Sequence, residues 1–324
     1  MRQAGAAIAV VAIAVAAAAM GPRMAVVVPY AAFTVMIVGL SWRVVRWSLV
    51  PVPFRIPTVC GQEQSLPWIK RSRLESPATA AGVAGRMALE VLAFRSLLRN
   101  ASTRIEKGPR LIYRDVKWLW MAAIVFHWSL LVILLRHLRL FVEPAPLVAV
   151  WLDRLDGFFE IGVPPLYLTD IGILVGLAFL LARRMRAGQV RFISLFTDYF
   201  ALFLLLGTAI SGMWMRYIGR TDVTAVKQFA LSLTIFAPAV PKNLGATFFI
   251  HLGLVSALAA YLPFSKLVHM GGVFLSPTRN LANNNRMKRH VNPWNYPVKV
   301  HTYEEWEDEF REKIEAAGLP VEKR

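Results

Sequence analysis

The sequence predicts an all-α integral membrane protein with six transmembrane helices, and three observations carry that prediction. Its 324 residues are 56% hydrophobic, with a mean hydropathy of +0.48, which sets the chain apart from soluble domains. Six apolar stretches each approach the length that a bilayer core demands of a helix. The cations gather in alternate connections between those stretches, the pattern of a membrane protein that keeps its positive loops inside.

Lys and Arg number 37 against 20 Asp and Glu, a net charge of +17. On a soluble protein such a surplus suggests nucleic acid. Here the cations occupy loops at membrane exits, so a lipid bilayer is the expected partner and no nucleic acid is. Cys60 is the single cysteine. One thiol gives no internal disulfide, no four-cysteine iron–sulfur cluster and no C-x-x-C-H site for covalent haem.

Residues 4–20 form an Ala/Val run that Gly21-Pro22-Arg23 turns into a second apolar run, 24–42. The first run also has the composition of a signal-peptide core, but the tight turn into another apolar segment favours a transmembrane hairpin, residues 1–42. Residues 43–116 form a basic loop with few acids. Within it Ser76 is placed to cap a helix with Pro77 at its first position. Val83, Met87, Leu89, Leu92, Phe94 and Leu98 then make an apolar stripe, with Arg86, Arg95 and Arg99 on the polar side. This amphipathic helix is expected to lie on the membrane or to dock a subunit.

Residues 117–275 form the main transmembrane domain, with spans expected at 117–138, 166–181, 194–215 and 243–272. The stretch 147–159, with Asp153 and Asp156, reads as interfacial. Arg183, Arg184, Arg186 and Arg191 make a short basic loop, and 216–242 is a mixed loop with an apolar middle. Residues 276–324 are a polar tail with a basic cluster of Arg286, Lys288, Arg289 and His290. With the basic segments on one side, both termini are expected in the cytoplasm. The tail ends in a helix opened by a Thr302/Glu305 capping box. Its apolar stripe, Tyr303, Trp306, Phe310 and Ile314, is too short to be stable alone and is expected to dock a partner.

Four of the six histidines lie in two of the spans: His127 and His137 in 117–138, His251 and His269 in 243–272. On one continuous helix the eighteen residues from His251 to His269 complete whole turns, so both rings leave the same face at different depths. An ionisable side chain in hydrocarbon costs about 2.5 kcal/mol or more unless something pairs or ligates it. Such a histidine can hydrogen-bond a neighbouring helix or snorkel to the interface. Two pairs on two helices instead favour two haems, each held by one imidazole from each helix. With one cysteine these would be b-type. The two helices are expected to run antiparallel, which pairs His127 with His269 near the cytoplasm and His137 with His251 near the outer face. The intervals disagree: ten residues span about 15 Å of ideal helix and eighteen about 27 Å. A kink at Pro263 or tilted haems would be needed to level both pairs.

Arg136 and Arg139 beside His137, and Lys266 before His269, are candidates for haem propionates or a quinone, with snorkelling cations as the alternative. Asp198 suits a proton or quinone pathway less well than a helix first turn. His290 and His301 lie in the polar tail and are read as solvent-facing, and Trp118, Trp120 and Trp214 fit an aromatic belt.

Paired histidines ten and eighteen residues apart on two transmembrane helices resemble the gamma-subunit domain of respiratory nitrate reductase, a five-helix di-haem cytochrome b. GQEQSLPWIK at 61–70, GRMALEVLAFRSLLRN at 85–100, FTDYFALFLLLGTAISG at 196–212 and NNNRMKRHVNPWNYPVKVHTYEEWEDEFR at 283–311 resemble the DsrM family, the cytochrome b subunits of DsrMKJOP complexes. That resemblance covers nearly the whole chain, including the N-terminal hairpin. It implies two haem b groups on His127, His137, His251 and His269, exchange of electrons with menaquinone, and location in the cytoplasmic membrane. It also implies a cytoplasmic, DsrK-like iron–sulfur subunit and the other DsrMKJOP subunits as partners in dissimilatory sulfur metabolism. The chain would then be an electron-transfer subunit of a quinone-linked oxidoreductase complex. A nitrate-reductase-type or heterodisulfide-reductase-type cytochrome b with another soluble partner is the alternative.

Overall fold

The computed structural model describes residues 2–50, 61–106, 108, 110–157, 164–276, 279–287 and 300–322. Arg55, Cys60, Lys107, Glu160, Lys288, Arg289 and His290 lie outside the described residues.

The helices, in order, are α1 (Arg2–Met20), α2 (Val27–Ser48), α3 (Ala80–Ala93) and the short α4 (Arg95–Leu98); then α5 (Lys117–His137), α6 (Leu147–Asp156), α7 (Leu168–Arg186) and the short α8 (Gly188–Ile193); then α9 (Phe196–Met213), α10 (Val223–Thr234), α11 (Ala246–Tyr261), α12 (His269–Leu275) and α13 (Tyr303–Ala316). One hairpin, β1 (Ala101–Glu106) with β2 (Arg110–Asp115), separates α4 from α5. Its strands pair antiparallel with Ala101 opposite Asp115, and Gly108 turns between them at φ +89°. The sequence reading treated this part of the basic loop as irregular.

Among the described residues, five segments, Arg2–Arg23, Val27–Ser48, Lys117–Leu140, Phe196–Ile218 and Ala246–Phe264, are long and apolar enough to cross a membrane. The sixth expected span is α7. It has 19 residues, but Asp170 stands in its first turn and Arg183, Arg184 and Arg186 in its last, so its apolar run is shorter. α7 nevertheless sits inside the bundle, with Ile173, Gly176 and Leu177 buried.

In that bundle α5 packs on α7, α7 on α9, and α9 and α11 on α1, while α2 lies against α11. The N-terminal hairpin is therefore part of the core. Small residues let the backbones approach, as membrane helices need when lipid supplies no hydrophobic drive. A Cβ on Gly253 would stand 2.5 Å from that of Ala17, and one on Gly176 would stand 2.8 Å from that of Phe126.

Three expectations need correction. The span expected over 243–272 is not continuous: α11 stops at Tyr261, and two 3-10 turns, Leu262–Phe264 and Lys266–Val268, precede α12. Pro263 brings no N–H to the helix ladder. Ser265 is extended, and its hydroxyl accepts from the Leu267 N–H at 3.1 Å, capping the next turn. The amphipathic helix is capped by Thr79, which accepts from Gly82 N–H at 3.2 Å, whereas the Ser76 hydroxyl donates to the Gly61 carbonyl at 3.1 Å. Arg86 does not face solvent; it is 2% exposed and donates to the carbonyls of Glu75, Arg279 and Leu281. Burial holds its pKa below the usual arginine value. The interfacial stretch is α6, and its Asp156 is buried in an ion network described below.

Candidate functional site

The bundle has an arginine-rich end, where α1 begins and α7 ends, and an opposite end with Asp153, Asp156 and Asp170. One histidine pair lies toward each. At the arginine-rich end, His127 on α5 faces His269, the first residue of α12, with ring centroids 5.9 Å apart and planes at 89°. At the opposite end, His137, the last residue of α5, lies within electrostatic range of His251 on α11.

All four rings use the same nitrogen for support. His127 Nδ1–H donates to the Ala123 carbonyl at 2.7 Å, His137 to the Ile133 carbonyl at 2.7 Å and His269 to the Lys266 carbonyl at 2.9 Å. A carbonyl can only accept, so each Nδ1 carries the proton. His251 Nδ1 lies 2.9 Å from Ser211 Oγ, whose own proton goes to the Thr208 carbonyl at 3.0 Å. Ser211 therefore accepts from Nδ1–H as well. In the neutral imidazole an Nδ1–H donor leaves Nε2 as a lone pair, the form in which imidazole ligates a metal.

Two imidazoles per level suit a porphyrin better than a bare ion. Among the described residues no group of three or more His, Cys, Asp or Glu side chains could hold a metal. A porphyrin brings four nitrogens and needs only axial ligands. Two metal–nitrogen bonds of about 2 Å with two ring radii of about 1.2 Å place the centroids of such a pair about 6.4 Å apart. The 5.9 Å between His127 and His269 is close to that, and axial rings can take any angle about their common axis. The residues of the His127/His269 level fit the group.

Other contacts shape these levels. Phe94 and Phe126 set ring edges against His127 at 4.9 and 4.7 Å. Phe94 ends α3 in the left-handed region at φ +48°, and the indoles of Trp120 and Trp128 tie that end down by donating to the Ala93 and Leu92 carbonyls at 2.8 and 3.1 Å. At the other level a Cβ on Gly212 would stand 3.1 Å from His251 Cε1, close enough that the ring would have to give by a few tenths of an ångström.

The three cations singled out in sequence each meet a carboxylate. Arg136 is 6% exposed, lies 3.2 Å from Asp156 and 3.1 Å from Asp170, and stacks its guanidinium 3.6 Å from the Tyr167 ring. Arg216 covers Tyr167 at 3.9 Å from its ring centre. Tyr217 Oη donates to Asp170 at 2.7 Å, and Tyr167 Oη bonds Asp153. Burial, then the bond to Asp153, raises the Tyr167 pKa above its ordinary 10.0. Arg139 pairs with Asp153 at 2.8 Å. Lys266 pairs with Asp198 at 2.8 Å, and Asp198 also accepts from Leu195 N–H in the first turn of α9 at 2.9 Å.

On α13 the capping box forms, Thr302 accepting from Glu305 N–H at 3.2 Å. Tyr303, Trp306 and Phe310 follow one another with ring centroids 5.8 Å apart at each step, and Tyr303 and Trp306 are exposed. Ile314 is buried instead and does not share that exposed face. Ser211, Gly212 and Phe94 were not foreseen as neighbours of the histidines; they come from other segments, and no local spacing marks them.

A membrane helical bundle with two histidine levels in ligating tautomers defines a protein of the cytochrome b class. The chain belongs to the nitrate reductase gamma subunit family, whose profile matches residues 87–289. It is 43% identical over 281 residues to the "Hdr-like menaquinol oxidoreductase cytochrome b-like subunit" of Archaeoglobus fulgidus, covering 85% of this chain and 84% of that one. The protein of the same name from Archaeoglobus profundus is 43% identical over 273 residues, 82% of this chain and 81% of that one.

Proposed function

We propose that this chain is the di-haem cytochrome b subunit of a menaquinone-linked oxidoreductase complex in the cytoplasmic membrane. His127 and His269 would hold one haem b, and His137 and His251 the other. The haems would supply one-electron carriers between a two-electron quinol and a one-electron partner. The protein's part is to fix four imidazoles by their Nδ1–H donors, to hold the two levels apart along α5, and to pack Phe94 and Phe126 against His127. The Nδ1 hydrogen bonds shared by the four histidines at two levels are the observation that carries this reading.

The positive-inside rule assigns the arginine-rich end and both termini to the cytoplasm. Electrons would then cross from menaquinol near His137 and His251 to an iron–sulfur subunit bound at the cytoplasmic end, with Tyr303, Trp306 and Phe310 as part of its contact. The sequence motifs support a DsrK-like subunit and sulfur metabolism. The names of the two archaeal relatives favour a second reading, a heterodisulfide-reductase-like soluble partner reached by the same electron path.

A pyridine haemochrome assay on the purified protein tests the core of the proposal. Two haem b per chain is the expected result, and a value near zero overturns it.

A further inference from the structure

We propose that Asp198 is a positioning residue for His269, acting through Lys266; this rests on the haem reading above. His269 is not carried by a continuous helix. The 3-10 turn Lys266–Val268 that presents it follows an extended residue, Ser265, so the ladder of α11 does not reach it. Its orientation comes from the Lys266 carbonyl, which accepts from His269 Nδ1–H at 2.9 Å.

Lys266 is itself held from outside. Its Nζ lies 2.8 Å from Asp198 Oδ1 on α9, and the Asp198 side chain is 6% exposed. The other Asp198 oxygen accepts from Leu195 N–H at 2.9 Å and lies 3.5 Å from Arg184 of α7. The carboxylate is thus fixed to two helices before it reaches Lys266. On the other side of the break, Arg43 of α2 donates from Nε to the Pro263 carbonyl at 2.8 Å, and a Cβ on Gly39 would stand 2.7 Å from Pro263. The turn bearing His269 is clamped between α2 and α9, and one residue supplies both the clamp's salt bridge and the ring's hydrogen bond.

Two consequences follow. Releasing the salt bridge lets the turn rotate, which changes the angle between the His269 and His127 rings. It also changes the local charge, with opposite signs for the two partners. Losing the carboxylate leaves positive charge that favours the reduced iron; losing the ammonium does the reverse. Lys266 is 79% exposed at its side chain, so solvent screens its effect more than that of Asp198.

The test uses the full chain with Asp198→Asn, Lys266→Gln and Lys266→Arg, read by optical redox titration and by low-spin EPR of each haem. The expected result is a raised midpoint for the His127/His269 haem in D198N, a smaller lowering in K266Q, altered g-values in both, recovery in K266R, and no change at the other haem. Because Asp198 also caps α9, K266Q is the variant that leaves that cap intact. An unchanged first haem in K266Q and D198N overturns the proposal, as do equal shifts at both haems. Wild-type protein without haem defeats the haem reading instead.

Discussion

The rings of His127 and His269 stand 5.9 Å apart with their planes at 89°, although one belongs to a straight helix and the other to a broken one. The break explains how they meet. Two straight antiparallel helices with ten-residue and eighteen-residue intervals would leave one pair far out of level. Interrupting the second helix at Pro263 lets the chain place His269 without obeying the rise of α11.

Histidine removal should act one level at a time. His127→Ala and His269→Ala are each expected to lower the haem content from two to one, and to remove the same haem. His137→Ala and His251→Ala should remove the other. Optical spectra of the four variants, sorted by which component disappears, check this. Perpendicular imidazole planes leave two iron d orbitals nearly degenerate, so the haem of the first level should give a highly anisotropic low-spin EPR signal.

Gly212→Ala should disturb only the second level. The added methyl would meet His251 Cε1 at 3.1 Å and turn the ring from its bond to Ser211. Loss of that support is expected to weaken haem retention at this level by about 10–100-fold. Haem content after gel filtration measures it, with the His127/His269 component unchanged.

Arg136→Met should strongly destabilise the bundle. The guanidinium lies between two carboxylates whose side chains are 3% and 11% exposed, and removing it takes this cation from both. Breaking a buried pair costs about 3–5 kcal/mol. Thermal unfolding in detergent reads the loss; a wild-type melting temperature would contradict the ion network as drawn.

Arg86→Met should loosen the polar cap without touching the membrane helices. Arg86 joins the loop carbonyl of Glu75 to the tail carbonyls of Arg279 and Leu281, and Asn283 N–H donates to the Pro77 carbonyl at 2.7 Å beside it. Limited proteolysis is expected to cut faster near residues 61–80 and 279–287, with haem content retained.

Tyr167 should make the protein sensitive to alkali. Its folded pKa lies above its ordinary 10.0 because burial and Asp153 favour the neutral phenol. For an acid raised in this way, the contribution is complete below the unfolded value and is lost as pH rises through the folded one. Stability should be flat in this respect up to about pH 10 and then fall. Tyr167→Phe should remove that alkaline component at a cost of about 1 kcal/mol for the lost hydrogen bond.

The membrane class, the approximate bounds of five of the six expected spans and the unusual placing of four histidines in apolar segments were legible in the residues, because apolar length, loop charge and residue type are properties of the chain itself. The capping box at Thr302 was legible for the same reason, being local. The tertiary structure alone decided that Arg86 and Arg136 are buried among carbonyls and carboxylates, that Ile314 turns inward, and that α3 reaches His127 through Phe94. It alone showed Ser211 and Gly212 meeting His251. Those contacts join residues from 11 to 195 positions apart, and no periodicity along a chain records which distant helix will lie against it. Pro263 marked a place where the helix could yield. At that place neighbouring helices bring Asp198 to Lys266 and Arg43 to the Pro263 carbonyl, contacts that only the tertiary structure reveals.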